Sequence, residues 1–165
     1  MIVKKINGMY LPVPDRFLLR ITVENEKKIG MDLFKLTLTR RVVKSMLQAF
    51  KKLLIEGGRA PSTKKMRPQK VGQKPLEIAQ VFGPHLVTDF NLRKNPRNSS
   101  SFLLSLSLDV DKKFQMNCSK KTIEFLFNLF MKLQEKASWN LEVPLKTKKT
   151  AGSTKGLNPV KRTLH

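Results

Sequence analysis

The chain has 165 residues, 33 of them lysine or arginine and 12 acidic, for a net charge of +21. That length suits one domain or two very small ones, and a hydrophobic fraction of 40% is enough for a packed core. The charge predicts attraction to polyanions (nucleic acid, an anionic membrane face or an acidic protein), and a single cysteine, Cys118, excludes an intrachain disulfide.

The opening segment, MIVKKINGMYLPVPDR, has no apolar run of leader length. The most apolar stretch, Phe125–Met131, falls far short of the roughly 20 residues a membrane span needs. These features read as a soluble, cytoplasmic protein. Residues 1–6 and 9–13 read as short strands broken at Asn7-Gly8, a strong turn dipeptide. Pro12 and Pro14 would interrupt a ladder, which places this opening at a sheet edge or a bend. In residues 16–24, Phe17, Leu19, Ile21 and Val23 alternate with Leu18, Arg20, Thr22 and Glu24, the pattern of a strand with one buried face. A hairpin connection follows over residues 25–30, and residues 33–39 alternate again, with Phe34, Leu36 and Leu38 on one side.

Thr39 then predicts a helix N-cap worth about 1 kcal/mol, because its hydroxyl can accept an otherwise unpaired amide. Val42, Val43, Met46, Leu47, Phe50, Leu53 and Leu54 follow at helical spacing, with Arg41, Lys44, Gln48, Lys51 and Lys52 on the other face and Gly57-Gly58 as the stop. Residues 58–75 contain three prolines, two glycines and six basic side chains without an apolar period, and predict a basic flexible linker.

The second half follows the pattern of the first. Residues 76–82 and 86–92 read as strands around Gly83-Pro84. FLLSLSLDV (102–110) matches FLLRITVEN (17–25), and Phe114, Met116 and Cys118 match Phe34, Leu36 and Leu38. Ser119 stands in for the Thr39 cap, and Ile123, Leu126, Phe127, Phe130 and Leu133 match Val43, Met46, Leu47, Phe50 and Leu53. Matches that respect both a period of 2 and a period of 3.6 predict an internal duplication. The second helix adds Phe125, Leu129 and Met131 to its apolar set, making it apolar nearly all round and marking these three as a candidate partner interface. Residues 143–165, basic and without acids, predict a disordered tail.

The expected architecture is therefore α+β: a tandem repeat of two antiparallel β-sheet units, each ending in one amphipathic helix, related by a pseudo-twofold. The units would span 1–57 and 76–142, joined by the 58–75 linker.

No phosphate-binding glycine loop, paired C-x-x-C or nucleophile elbow occurs, so no catalytic residue, metal ligand or cofactor is assigned. His85 and His165 lack partners at metal-ligand spacing, Cys118 falls on an inward position, and the acidic pairs Glu24/Glu26 and Asp109/Asp111 read as charged hairpin ends. The positive signal is basic. Residues 76–142 carry 9 basic and 7 acidic side chains, so nearly all the excess lies in the first half, the linker and the tail. Arg16 and Arg20 fall on the polar side of one strand and Lys35 on that of its neighbour. With Arg40, Arg41 and Lys44 of the first helix, Lys64, Lys65, Arg67 and Lys70 of the linker, and Lys148 and Lys149 of the tail, they form the candidate phosphate contacts. Tyr10 and Trp139 are the candidate stacking rings.

The strands RFLLRITVE and FLLSLSLDV, with FKLTLTRRVVKSMLQAFKKLL and FQMNCSKKTIEFLFNLFMKL after them, give a run of strands, a Ser/Thr cap and one helix, twice. This resembles the unit of the small single-stranded-DNA-binding transcriptional coactivators, and two units in one chain resemble the plant Whirly proteins. The resemblance implies a sheet-plus-helix fold and leans toward single-strand binding; no binding residue is carried over from either family.

The leading expectation is a non-enzymatic nucleic-acid-binding protein, with a regulatory role as one option, that contacts DNA or RNA through phosphates. The alternative is a small adaptor that docks an acidic protein partner through the basic helix face, or forms a homo-oligomer through the second helix. A membrane-surface role ranks third, because the apolar face of the basic helix is already claimed by the sheet.

Overall fold

The computed structural model describes residues 2–24, 30–56, 78–96 and 98–141. Three strands and a helix, β1 (Ile2–Leu11), β2 (Arg16–Glu24), β3 (Met31–Leu38) and α1 (Arg40–Glu56), are followed by the same order again: β4 (Ile78–Asn95), β5 (Asn98–Leu108), β6 (Lys113–Ser119) and α2 (Lys120–Lys136). The fold is α+β, with one six-stranded sheet in the order β1-β2-β3-β4-β5-β6.

The alternating residues behave as their period requires. Phe17, Leu19, Ile21 and Val23 of β2, with Leu36 and Leu38 of β3, are fully buried or nearly so. They share one core with Val43, Met46, Leu47 and Phe50 of α1 and with Ile123, Leu126, Phe127 and Phe130 of α2. Burying each such side chain contributes about 1.5–3 kcal/mol, so this seam supplies most of the driving force. The helices meet through Phe50 and Phe130, whose rings lie nearly parallel at 6.4 Å. Both helix starts are capped as expected: the Val42 amide donates to Thr39 Oγ1 at 3.4 Å, and the Thr122 amide to Ser119 Oγ at 3.1 Å.

Two expectations are corrected. The Asn7-Gly8 and Gly83-Pro84 breaks do not exist: β1 and β4 run straight through them. Gly8 is a packing glycine, since a Cβ placed on it would lie 2.9 Å from Leu133 Cδ1 and 3.2 Å from Leu129 Cδ2. The first real turn comes at Pro12–Asp15, where the Asp15 amide donates to Pro12 O at 3.1 Å. At Gly83, a φ of +92° that glycine tolerates is absorbed as a register shift between Phe34 and Leu36 of β3.

The second correction concerns the two sheet units, which form one continuous sheet. β3 pairs in parallel with the first half of β4, over residues 78–87, and β5 pairs antiparallel with its second half, over residues 87–95. With β3 parallel to β4 and every other neighbour antiparallel, β1, β3, β4 and β6 share one sense. The second set of strands therefore follows the first along the sheet without reversal.

The sheet also curls. Phe34 of β3 and Phe114 of β6 stand three strands apart, about 14 Å in a flat sheet, yet their ring centroids are 4.9 Å apart. The curl wraps the sheet around the helices and leaves β1 and β6 as its two edges, with β1 at the edge that its flanking prolines predict.

Candidate nucleic-acid interface

Because alternate residues of a strand face opposite ways, burying Leu19, Ile21 and Leu36 sends Arg20 and Lys35 to the face away from the helices. The β2–β3 register sets Arg20 directly opposite Lys35, and the β1–β2 register sets Asn7 opposite Arg20. Asn7, Arg20 and Lys35 therefore form one row across three strands. Arg20 is exposed and Lys35 half-buried, and neither is ion-paired among the described residues. Like charges directly opposite each other on a sheet destabilise it, by about 0.2–1 kcal/mol, unless an anion lies between them. Arg16, half-buried at the start of β2, extends the row's face toward the turn.

On the second half of the sheet the outward positions of β5 and β6 are mostly neutral and polar, while Asp89 and Arg93 of β4 and Lys113 of β6 put charges of both signs on the same face. Gln115 Nε2 donates to Ser105 Oγ at 3.1 Å across β5 and β6, and Asn95 Nδ2 donates to Asn117 Oδ1 at 3.1 Å. These amides were not singled out from the sequence. The signal was there in the alternation of SFLLSLSL and KFQMNCS, whose polar members all fall outward.

The helix residues divide. Arg41 and Lys44 are exposed on α1. Since α1 packs on the opposite side of the sheet from Arg20 and Lys35, the expected cations form two surfaces. Arg40 is committed elsewhere: its Nη2 lies 3.3 Å from Asp15 Oδ2, and its guanidinium stands 5.2 Å from the centre of the Trp139 ring. Lys64, Lys65, Arg67, Lys70, Lys148 and Lys149 lie outside the described residues, as do the linker, the tail, Gly57-Gly58 and His165.

Trp139 is not a stacking platform. It is 1% exposed, stacks on Phe17 at 4.2 Å and donates from Nε1 to Asp15 Oδ1 at 2.7 Å. The Tyr10 hydroxyl donates to the same oxygen at 2.7 Å, and its ring meets Trp139 edge-on. Asp15 thus gathers Tyr10, Trp139 and Arg40 and ties the segment after α2 to the β1–β2 turn. These contacts, the Tyr10 hydrogen bond first and that of Trp139 next, hold the Asp15 carboxyl below its ordinary range; the bond to Asp15 in turn raises the Tyr10 hydroxyl.

Phe125, Leu129 and Met131 are half-buried and packed against the core, Leu129 over Gly8 of β1. The near-complete apolar girth of α2 is accounted for by a sheet that curls far enough to touch it from β1 as well as from β6. Cys118 is buried, and burial pushes its thiol up to about 12, the opposite of an activated nucleophile. Asp109 lies 3.9 Å from His85, and Glu24 pairs with Lys4 at 2.6 Å. Among the described residues no three His, Cys, Asp or Glu side chains converge as metal ligands, and no helix is long and apolar enough to cross a membrane.

No protein-family model, curated protein or solved structure matches the chain.

Proposed function

We propose that the chain is a non-enzymatic nucleic-acid-binding protein, of regulatory type, that holds the phosphate backbone on the outer face of its sheet. The observation that carries this reading is the cross-strand row of Asn7, Arg20 and Lys35, whose two cations have no ion pair among the described residues, on a chain of net charge +21. Phosphate contacts need charge but little geometric precision, which suits two adjacent cations on a sheet face. Arg41 and Lys44 form a second, weaker contact surface on α1. The repeated order of three strands and a helix, each helix capped by Thr or Ser, supports an internal duplication and the likeness to the single-strand-binding coactivators and Whirly proteins. With no exposed ring assigned to the outer face, binding is expected to depend on charge more than on base stacking and to show low sequence specificity.

The test is an anisotropy titration of labelled single-stranded DNA and RNA against the full chain and against a variant lacking residues 143–165. The reading expects both proteins to bind at low salt. Absence of binding by the full chain refutes it, and binding that disappears with the tail removes the sheet face from the account.

A further inference from the structure

β1 and β6 are the two ends of the sheet, so among the described residues each presents along its outer side a row of main-chain groups without a strand partner. The curl brings these edges onto one open cleft of about 600 Å³. Its walls are the first half of β1, Ile2–Ile6, and the last residues of β6, Asn117 and Ser119; its floor is the first turns of α2, including Phe125. Three lysines stand around it: Lys4, Lys5 and Lys121. Lys4 is already paired with Glu24, whereas Lys5 and Lys121 are exposed.

Two edges bordering one trough call for a strand. The five residues Ile2–Ile6, bulged between Val3 and Lys5, span at most roughly 17 Å, enough to register a short extended segment. Since β1 and β6 run in the same sense, one added strand can lie antiparallel to both, the better-bonded arrangement. The charge then selects the occupant. Residues 143–165 hold six basic and no acidic side chains, and a second copy's β1 would bring its own Lys4 and Lys5, so both would be repelled. We propose that the cleft between β1 and β6 binds an extended acidic peptide of a partner protein as an added strand, with main-chain bonds along Ile2–Ile6, carboxylates on Lys5 and Lys121, and an apolar side chain against Phe125. This surface is separate from the Arg20–Lys35 row and does not depend on it.

The probe is a fluorescein-labelled peptide of alternating glutamate and valine. Its control has proline at every valine, keeping the charge but removing alternate main-chain donors. The full chain is expected to bind the first about tenfold or more tightly than the second, and peptide addition should slow amide exchange in Ile2–Ile6. Charge reversal by Lys5→Glu with Lys121→Glu is expected to weaken binding about tenfold, while Arg20→Glu with Lys35→Glu changes it less than twofold. Equal binding of the two peptides, or unchanged exchange in β1, overturns the proposal. So does an oligonucleotide that protects the same amides and displaces the peptide, since it would assign the cleft to nucleic acid.

Discussion

Gly8 offers the sharpest check on how the sheet curls. Read from the sequence, Asn7-Gly8 is a turn, and any side chain at position 8 should be penalised through backbone conformation alone. In the structure Gly8 lies inside β1, under Leu129 and Leu133 of α2. A Cβ there would sit 2.9 Å from Leu133 Cδ1 and 3.2–3.3 Å from the Leu129 methyls, against the roughly 3.5–4.0 Å of comfortable carbon contact. The first methyl of alanine must displace the leucine ends by several tenths of an ångström. Overpacking of this kind costs about 1–3 kcal/mol, and for alanine it is partly offset by about 0.5–1 kcal/mol from removing glycine's backbone entropy. Gly8→Ala is therefore expected to lose about 1 kcal/mol and Gly8→Val about 2–3 kcal/mol. The diagnostic is a double-mutant cycle by urea denaturation. Leu129→Ala opens the space that valine needs, so Gly8→Val with Leu129→Ala should cost at least about 1 kcal/mol less than the sum of the single changes. Additive costs, with alanine and valine equally damaging, would refute the packing account and restore the turn.

Three further outcomes follow from named contacts. Trp139 is the only tryptophan and reports directly on Asp15. Because the Asp15 carboxyl is held below its ordinary value, the contacts it makes are present above the unfolded value of 3.8 and fade as pH falls through the depressed one. An acid transition in Trp139 fluorescence is expected below about pH 4, and Asp15→Asn should abolish it. For Cys118 the sign reverses: its raised value means that stability is complete below the unfolded value of 9.0 and declines as pH rises toward 12. The wild type should lose up to about 1.4 kcal/mol per pH unit in that window relative to Cys118→Ala, measured as a difference in denaturation slopes against pH. Ser119→Ala should cost about 1 kcal/mol of stability, and Thr39→Ala less, because the Thr39 bond is the longer, 3.4 Å against 3.1 Å.

What could be read from the residues was whatever depends on local period. The alternation in RFLLRITVE and the 3.6-residue spacing from Val42 to Leu54 placed β2, α1 and their buried faces, and Thr39 and Ser119 marked both helix starts. The errors came where a local signal competed with a distant partner. Asn7-Gly8 has turn chemistry, but the bodies of Leu129 and Leu133, more than a hundred residues away, give Gly8 another purpose. Gly83-Pro84 also has turn chemistry, yet β4 is held on both sides of it by β3 and β5. Joining the strands into one sheet required the parallel β3–β4 pair, whose register no local pattern encodes. For the candidate interface, outward placement of Arg20 and Lys35 followed from alternation, but their direct opposition needed the pairing register. The pairing of Arg40 and the burial of Trp139 needed Asp15, which has no local relation to either.

Arg20 and Lys35 are the proposed paired phosphate contacts at the centre of the interface. The most direct test is the salt dependence of single-stranded DNA binding, measured as log K against log salt for the full chain and for Arg20→Ala with Lys35→Ala. Each lost phosphate contact should lower the slope by about 0.7, so the double variant should be shallower by about 1.4, with a weaker affinity at low salt. A double variant that keeps the wild-type slope and affinity would contradict the account and place any nucleic acid elsewhere on the chain.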